Sequence, residues 1–184
     1  MKVINVTMFA DIGGILSDKS YSISGSQVTV LENFQKYIFF LTDWSDVNFG
    51  ASYGVRALGE VADEGGYYLD VKADAGDYLR FRVAGLTLGF EHRCFIHPFT
   101  FSAPTVVSDA KPVANSSSIA VQLEDGKIVA KTVDDFYMEA QVKAAGHVTY
   151  KITFSVFDST GTRIGILSLD PEIDIPGKNR YAVG

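Results

Sequence analysis

Residues 67–83 read YYLDVKADAGDYLRFRV, and apolar side chains alternate with polar ones along both halves of this segment. In the second half, Leu79 and Phe81 point to one face, whereas Arg80 and Arg82 point to the other. A period of two residues is typical of half-buried strands, and the Gly-Asp pair before Tyr78 is typical of a tight turn. The segment therefore predicts two strands joined by a turn.

The same alternation recurs in both directions from this segment. Further strand candidates are residues 3–9, 27–31, 36–42, 93–101, 119–123, 127–133, 136–142, 150–156 and 164–169. Asp125-Gly126 predicts a hairpin between two of them. No window carries a sustained helical period, and residues 45–64 have room for a short helix at most. The expected fold class is all-β, an antiparallel β-sandwich of two packed sheets.

The least patterned segment is 103–118, which is rich in Pro, Ser and Ala. We interpret it as a long connection that crosses between the sheets. Neither half of the chain has enough strands for a closed sandwich, so residues 1–184 are expected to form one domain.

Charge and cysteine content narrow the classes of partner. The chain has 16 basic and 22 acidic residues, a net charge of -6, and its basic residues are scattered. Nucleic acid and anionic membranes are therefore not expected as partners. Cys94 is the one cysteine, which rules out an intramolecular disulfide and favours a reducing compartment. With no apolar run long enough for a bilayer, a cytoplasmic location is expected.

One motif resembles a catalytic element. Gly50-Ala51-Ser52-Tyr53-Gly54 matches G-x-S-x-G, in which a strand-to-helix turn exposes the serine hydroxyl. The preceding strand candidate ends too early at Thr42, and the segment that follows is too short for the required helix. We interpret the motif as a glycine-rich loop, keep a hydrolase acting through Ser52 as a third hypothesis, and expect no enzymatic activity.

Two groups of residues have side chains of the kind that bind metal ions. His92 and Cys94 share one face of a strand, but His97 points to the other, and no second ligand pair completes a zinc site. Acidic pairs, Asp43 with Asp46 and Asp134 with Asp135, have the oxygen chemistry that calcium between sandwich loops requires. We expect no bound metal or cofactor, with calcium as the alternative.

A second binding hypothesis rests on the segment after residues 36–42. Trp44 lies there between Asp43 and Asp46, close in sequence to Phe49 and Tyr53. Loop aromatics on a sandwich form either a sugar-stacking platform or a protein contact, or they fold back as a lid over the core. The lid is the favoured interpretation, and a lectin-like module with a carbohydrate or protein ligand is the alternative.

Taken together, two segments resemble a known family. Residues 69–82, LDVKADAGDYLRFR, are similar to the L-x-I-K-A-x-x-G-D-x-I-R-W-R core of the bacterial inclusion-body protein family of the PixA/AidA type. The C-terminal segment up to Asp170-Pro171 resembles that family's ending, and the order of segments is preserved over nearly the whole chain. Leu169 replaces the family's usual aromatic residue, and Asp11-Ile12-Gly13-Gly14 replaces its acidic D-T-E pattern.

The resemblance implies an immunoglobulin-like sandwich without catalytic residues. It also implies a protein that accumulates in cytoplasmic inclusions or responds to cell density in a host-associated bacterium. The leading hypothesis is therefore a non-enzymatic protein that self-associates as a homo-oligomer.

Overall fold

The computed structural model describes residues 1–46, 68–87 and 91–175, which form twelve strands and one short α-helix. The strands are β1 (Val3–Ala10), β2 (Val28–Val30), β3 (Ile38–Leu41), β4 (Tyr68–Asp70), β5 (Tyr78–Gly85), β6 (Arg93–Ile96), β7 (Lys111–Gln122), β8 (Ile128–Gln141), β9 (Gly146–Thr149), β10 (Ile152–Phe157), β11 (Arg163–Leu169) and β12 (Glu172–Ile175). The helix, α1, spans Ile12–Ser17, and two 3-10 turns span Phe34–Lys36 and Trp44–Asp46. The predicted all-β class is confirmed.

Within the described ranges the strands form three sheets. The first has the order β3-β1-β5-β8-β7, the second β2-β11-β10-β6, and the third β4-β12-β9. The sequence predicted two antiparallel sheets, whereas the pairs β1–β5, β2–β11 and β4–β12 are parallel. Parallel partners are joined by long crossovers, and local alternation does not specify which distant segment pairs with which. The immunoglobulin-like arrangement stays a prediction.

Buried side chains from all three sheets form the core. The alternation predicted for β5 is confirmed, since Leu79 and Phe81 are buried while Arg80 and Arg82 lie on the opposite, outer face. Phe81 packs edge-on against Phe99 with ring centroids 5.2 Å apart. Tyr150 stacks on Phe99 at 5.6 Å, so aromatic rings link the first sheet to the segments around β6 and β10.

Helix α1 was not predicted. Asp11 caps it, because its side chain accepts a 2.9 Å hydrogen bond from the backbone N–H of Gly14. With six residues the helix is shorter than two turns, too short for a helical period to be visible in the sequence. No helix in the described part of the chain has the length and apolarity needed to cross a lipid bilayer.

The interpretation of residues 103–118 is wrong in its second half. Residues 111–118 belong to β7, and the separate candidates 127–133 and 136–142 form the single long strand β8. The hairpin turn predicted at Asp125-Gly126, which joins β7 to β8, is confirmed. Gly126 has a φ of 81°, and the N–H of Leu123 donates to the carbonyl of Lys127 at 2.8 Å. A polar run with no alternation gave no strand signal, because this part of β7 is exposed on both faces.

Candidate functional site

Strands β7 and β8 extend beyond the sheet to which they belong. They pair with each other over the whole of β7, from Lys111↔Glu139 to Gln122↔Ile128. Strand β5, in contrast, pairs with β8 only from Phe81↔Met138 to Tyr78↔Gln141. Residues 113–137 therefore form a two-stranded arm, and at about 3.4 Å per residue the arm is roughly 30 Å long.

Most side chains of the arm are exposed, including large apolar ones. Ile128 is 73% exposed, Leu123 45% and Ile119 44%. On the outer face, Val121 lies directly opposite Val129, next to Ile119 and Leu123. A two-stranded ribbon is marginally stable in water, and contiguous apolar surface on a monomer often marks an interaction site. The arm is therefore the strongest candidate for a binding surface in the described structure.

The outer edge of β7 carries backbone N–H and C=O groups that have no neighbouring strand in the described structure. The hydrogen bond from Leu123 to Lys127 makes that rung a hydrogen-bonded pair. Because hydrogen-bonded and non-hydrogen-bonded rungs alternate in an antiparallel ladder, the even-numbered residues of β7 direct N–H and C=O away from β8. No described strand pairs with this edge, since β7 is the last strand of its sheet.

Edge strands are normally protected by charged side chains, and the two edges of the arm differ in this respect. Residues 112–123 contain no Asp, Glu, Lys or Arg, in a chain that is 21% charged. Strand β8, on the other edge, carries Lys131, Asp134 and Asp135. The β7 edge is therefore the less protected of the two, with Pro112 at its start as the one residue that lacks an N–H.

A cluster of charged and aromatic side chains holds the root of the arm on the outer face of the first sheet. This root cluster consists of Arg80, Arg82, Asp135, Tyr137 and Glu139. Arg82 donates to Asp135 from Nε at 2.9 Å and from Nη2 at 2.6 Å, and Arg80 Nε donates to Glu139 at 2.7 Å. Both guanidinium groups lie over the buried Tyr137 ring, at 4.8 and 4.6 Å from its centroid. Strand β5 thereby fixes the direction in which the arm leaves the sheet.

The electrostatics of the root cluster follow from these contacts. The hydrogen bonds from Arg82 hold the pKa of Asp135 below its ordinary value of 3.8, against the opposing effect of burial.

Where β8 separates from β5, a cleft of about 260 Å³ opens between Arg82, Asp134 and Phe136 on one side and Cys94 and Phe95 on the other. The cleft adjoins the arm and is too small for a drug-sized ligand.

Asp43, Trp44 and Asp46 were the residues predicted to bind a ligand. Trp44 begins the 3-10 turn that Asp46 ends. The exposed carboxylate of Asp43 accepts hydrogen bonds from Ser45 N at 2.9 Å and Ser45 Oγ at 2.7 Å, which lower its pKa. Asp46 is buried and forms an ion pair with Lys2. Both acids thus have structural partners, and a carbohydrate, protein or calcium ligand for this turn stays a prediction.

The histidines and the cysteine do not form a ligand set. His97 Nε2 lies 2.9 Å from Ser155 Oγ, and burial raises the pKa of the Cys94 thiol to about 12. Across residues 1–46, 68–87 and 91–175, no group of three His, Cys, Asp or Glu side chains could hold a metal ion. Ser155 is 3% exposed, so its contact with His97 lies below the surface.

Two further sequence hypotheses have different outcomes. Asp134 and Asp135 were considered as calcium ligands in a loop, but both lie within strand β8, where neighbouring side chains point to opposite faces. Asp134 instead accepts a hydrogen bond from Ser116 Oγ at 2.8 Å. Ser52, the nucleophile of the hydrolase hypothesis, lies outside the described residues, as do Phe49 and Tyr53.

The arm itself was missed by the sequence interpretation. No motif marks the arm in the sequence. The feature that could have indicated it is the absence of charged residues between Lys111 and Glu124. A charge-free segment next to a predicted hairpin turn indicates an edge that does not repel other strands.

Comparison with known proteins agrees with this fold. No curated protein matches the chain. The crystal structure of a PixA inclusion body protein from Burkholderia cenocepacia J2315 superposes with a TM-score of 0.67, at 15% identity, over 95% of each chain. At that identity the likeness concerns the fold. The family model for PixA, described as inclusion body protein, matches residues 2–175. The chain therefore belongs to the PixA inclusion body protein family.

Proposed function

We propose that this protein functions by self-association, without catalysis, and accumulates as dense assemblies in the cytoplasm. The observation that carries the proposal is the projecting arm with its exposed apolar side chains and uncharged outer edge. Both features favour contact with another polypeptide over contact with a small molecule. Membership of an inclusion body protein family supports the same role.

The chemistry of the described residues supports a non-catalytic role. The charged groups that lie closest together are matched in ion pairs, as in Arg82 with Asp135 and Arg80 with Glu139. These groups form hydrogen bonds with one another and hold strands in place. A catalytic acid or base, in contrast, must lie within hydrogen-bond distance of a substrate.

Light scattering coupled to size-exclusion chromatography tests the proposal on the full chain. We expect the apparent mass to rise with protein concentration from the monomer value of 20.0 kDa to that of a dimer or larger species. A species that keeps the monomer mass at millimolar concentration would contradict self-association.

We also propose that production of the protein follows cell density, an expectation that comes from the family resemblance and not from any contact in the structure. Measurement of its transcript along a growth curve, with and without conditioned medium from a dense culture, tests this separately. A constant transcript level would remove the regulatory part and leave self-association standing.

A further inference from the structure

We propose that the outer edge of β7 pairs with the same edge of a second copy, antiparallel, around a two-fold axis at Ser118. The inference rests on the proposed self-association and names its interface. In this arrangement the two first sheets become one continuous ten-stranded sheet.

The edge itself requires a partner that also has a free strand edge. The residues of β7 that direct both N–H and C=O outward are Ala114, Ser116, Ser118, Ala120 and Gln122. A two-fold axis at Ser118 places Ala114 opposite Gln122 of the copy, and Ser116 opposite Ala120. Every outward N–H is then paired, with neither Pro112 nor the turn involved. The pairing forms about ten hydrogen bonds, as many as a typical stable interface contains.

Side-chain size agrees with this register. Of the five residues whose N–H and C=O point to the free edge, four are Ala or Ser. Their small side chains lie on the inner face of the sheet, so two ribbons can approach each other there without steric conflict. On the outer face the same axis places Leu123 opposite Val113 of the copy. An exposed apolar side chain at the tip of one arm thereby gains an apolar neighbour at the root of the other.

Charge distinguishes the β7 edge from the rest of the surface as the place where two copies can meet. Two chains with a net charge of -6 repel each other over most of their surfaces. The arm, residues 113–137, has four acidic residues and two lysines, and one of its acids, Asp135, is paired with Arg82. The segment of β7 from Pro112 to Gln122 contributes no charge at all. At this uncharged edge, two such chains meet with little electrostatic repulsion.

Two proline substitutions on one rung test the edge. Ser118 lies opposite Thr132 in the β7–β8 ladder, and each directs its N–H away from the other strand. Ser118→Pro removes an N–H from the proposed interface, and Thr132→Pro removes the equivalent group from the opposite edge of the arm. We expect Ser118→Pro to weaken association roughly tenfold or more and Thr132→Pro to leave the dissociation constant within about twofold of wild type. Circular dichroism of each variant verifies that the body remains folded.

Disulfide cross-linking tests the register. The proposed axis brings the two Ser118 Cα atoms to about 5.5 Å, within the range that a disulfide spans. Ser118→Cys should therefore give a covalent dimer on oxidation, identified by mass spectrometry of the linked peptide. In Ser116→Cys, the matched control, the two Cα atoms lie about four residues apart along the strands, roughly 13 Å, and no direct bond should form.

The outcomes separate the two proposals. Association of the wild type that is insensitive to Ser118→Pro, or equal cross-linking of the two cysteine variants, overturns the β7 interface and leaves self-association in place. A wild type that stays monomeric overturns both.

Discussion

Asp77 ties the start of the chain to the turn before β5. Its carboxylate accepts hydrogen bonds from the backbone N–H groups of Lys2 at 2.7 Å and Asp74 at 2.9 Å, and the side chain is almost fully buried. Burial alone raises the pKa of Asp77, but the hydrogen bonds from Asp74 and Lys2 outweigh it, so the pKa lies below its ordinary value of 3.8. Asp77 therefore stabilises the fold in its ionised form.

We predict that Asp77→Asn lowers the free energy of unfolding at pH 7 by about 1–3 kcal/mol, because an amide has one acceptor oxygen for the two partly buried N–H donors. A folded-state pKa below the unfolded value gives stability that is present above pH 3.8 and is lost as the pH falls through the folded pKa. The variant should therefore lose less stability than wild type between pH 6 and pH 3 in urea titrations. The exposed Asp109→Asn is the control, and an equal loss in both chains would contradict this role of Asp77.

Tyr150 illustrates the opposite situation. Its ring packs in the aromatic core, but its hydroxyl is buried and has no hydrogen-bond partner among the described residues. Burial raises the pKa of this phenol. We predict that Tyr150→Phe raises the free energy of unfolding by about 1 kcal/mol, since it removes an unsatisfied polar group without changing the packing.

The matched control for this substitution is Tyr137→Phe. The Tyr137 hydroxyl accepts a 2.9 Å hydrogen bond from Asn115, so the same chemical change should destabilise the protein by about 0.5–1.5 kcal/mol. Equilibrium urea unfolding measures both. A loss of stability in Tyr150→Phe would indicate that the hydroxyl has a partner, such as a buried water.

At the scale of elements, β5 and β7 show how far the sequence alone could go. Strand β5 was predicted because one of its faces is buried and the other faces solvent. Apolar and polar side chains therefore alternate along it with a period of two residues. Strand β7 is exposed on both faces, and nothing in its surroundings selects apolar residues at alternate positions. The arm was missed for the same reason. Residues 111–118 of β7 lack the alternation of apolar and polar side chains and were therefore interpreted as a connecting loop.

The turn of the arm depends on Gly126, whose φ of 81° is in the left-handed region. We predict that Gly126→Ala costs about 1–2 kcal/mol locally, because a Cβ disfavours this conformation. The effect should appear as faster amide exchange along the distal half of the arm, while exchange in β1 and β10 stays unchanged.

Gly13→Ala is the control for this prediction. Gly13 lies in α1, and an added Cβ would come no closer than 3.7 Å to another side chain. It should leave exchange in the arm unchanged and stabilise the helix by about 0.5–1 kcal/mol. Faster exchange in β1 of Gly126→Ala would mean that the arm and the body do not behave as separate units.

At the scale of the whole molecule, the sheet order was beyond the reach of the sequence. The strands were mostly found, but β1 pairs with β5 and β2 with β11 across long separations. Such pairings depend on how the entire core packs, because each partner offers a similar apolar face. Fold class followed from local pattern, and topology did not.

Charge at this scale gives a prediction for self-association. Because each copy carries a net charge of -6 and the proposed interface is uncharged, added salt should screen repulsion between copies without breaking ion pairs. Sedimentation equilibrium at about 20 mM and about 200 mM sodium chloride should give a lower dissociation constant at the higher salt concentration. A clear weakening at the higher concentration would point to an interface built on ion pairs instead.

The arm lies outside the packed interior, so selection can act on its surface separately from the core. With self-association as proposed, substitutions along the arm would alter the affinity between copies while the scaffold retains its interior contacts. Related chains that assembled through such an arm could then diverge in the density and solubility of their assemblies while keeping one inherited architecture.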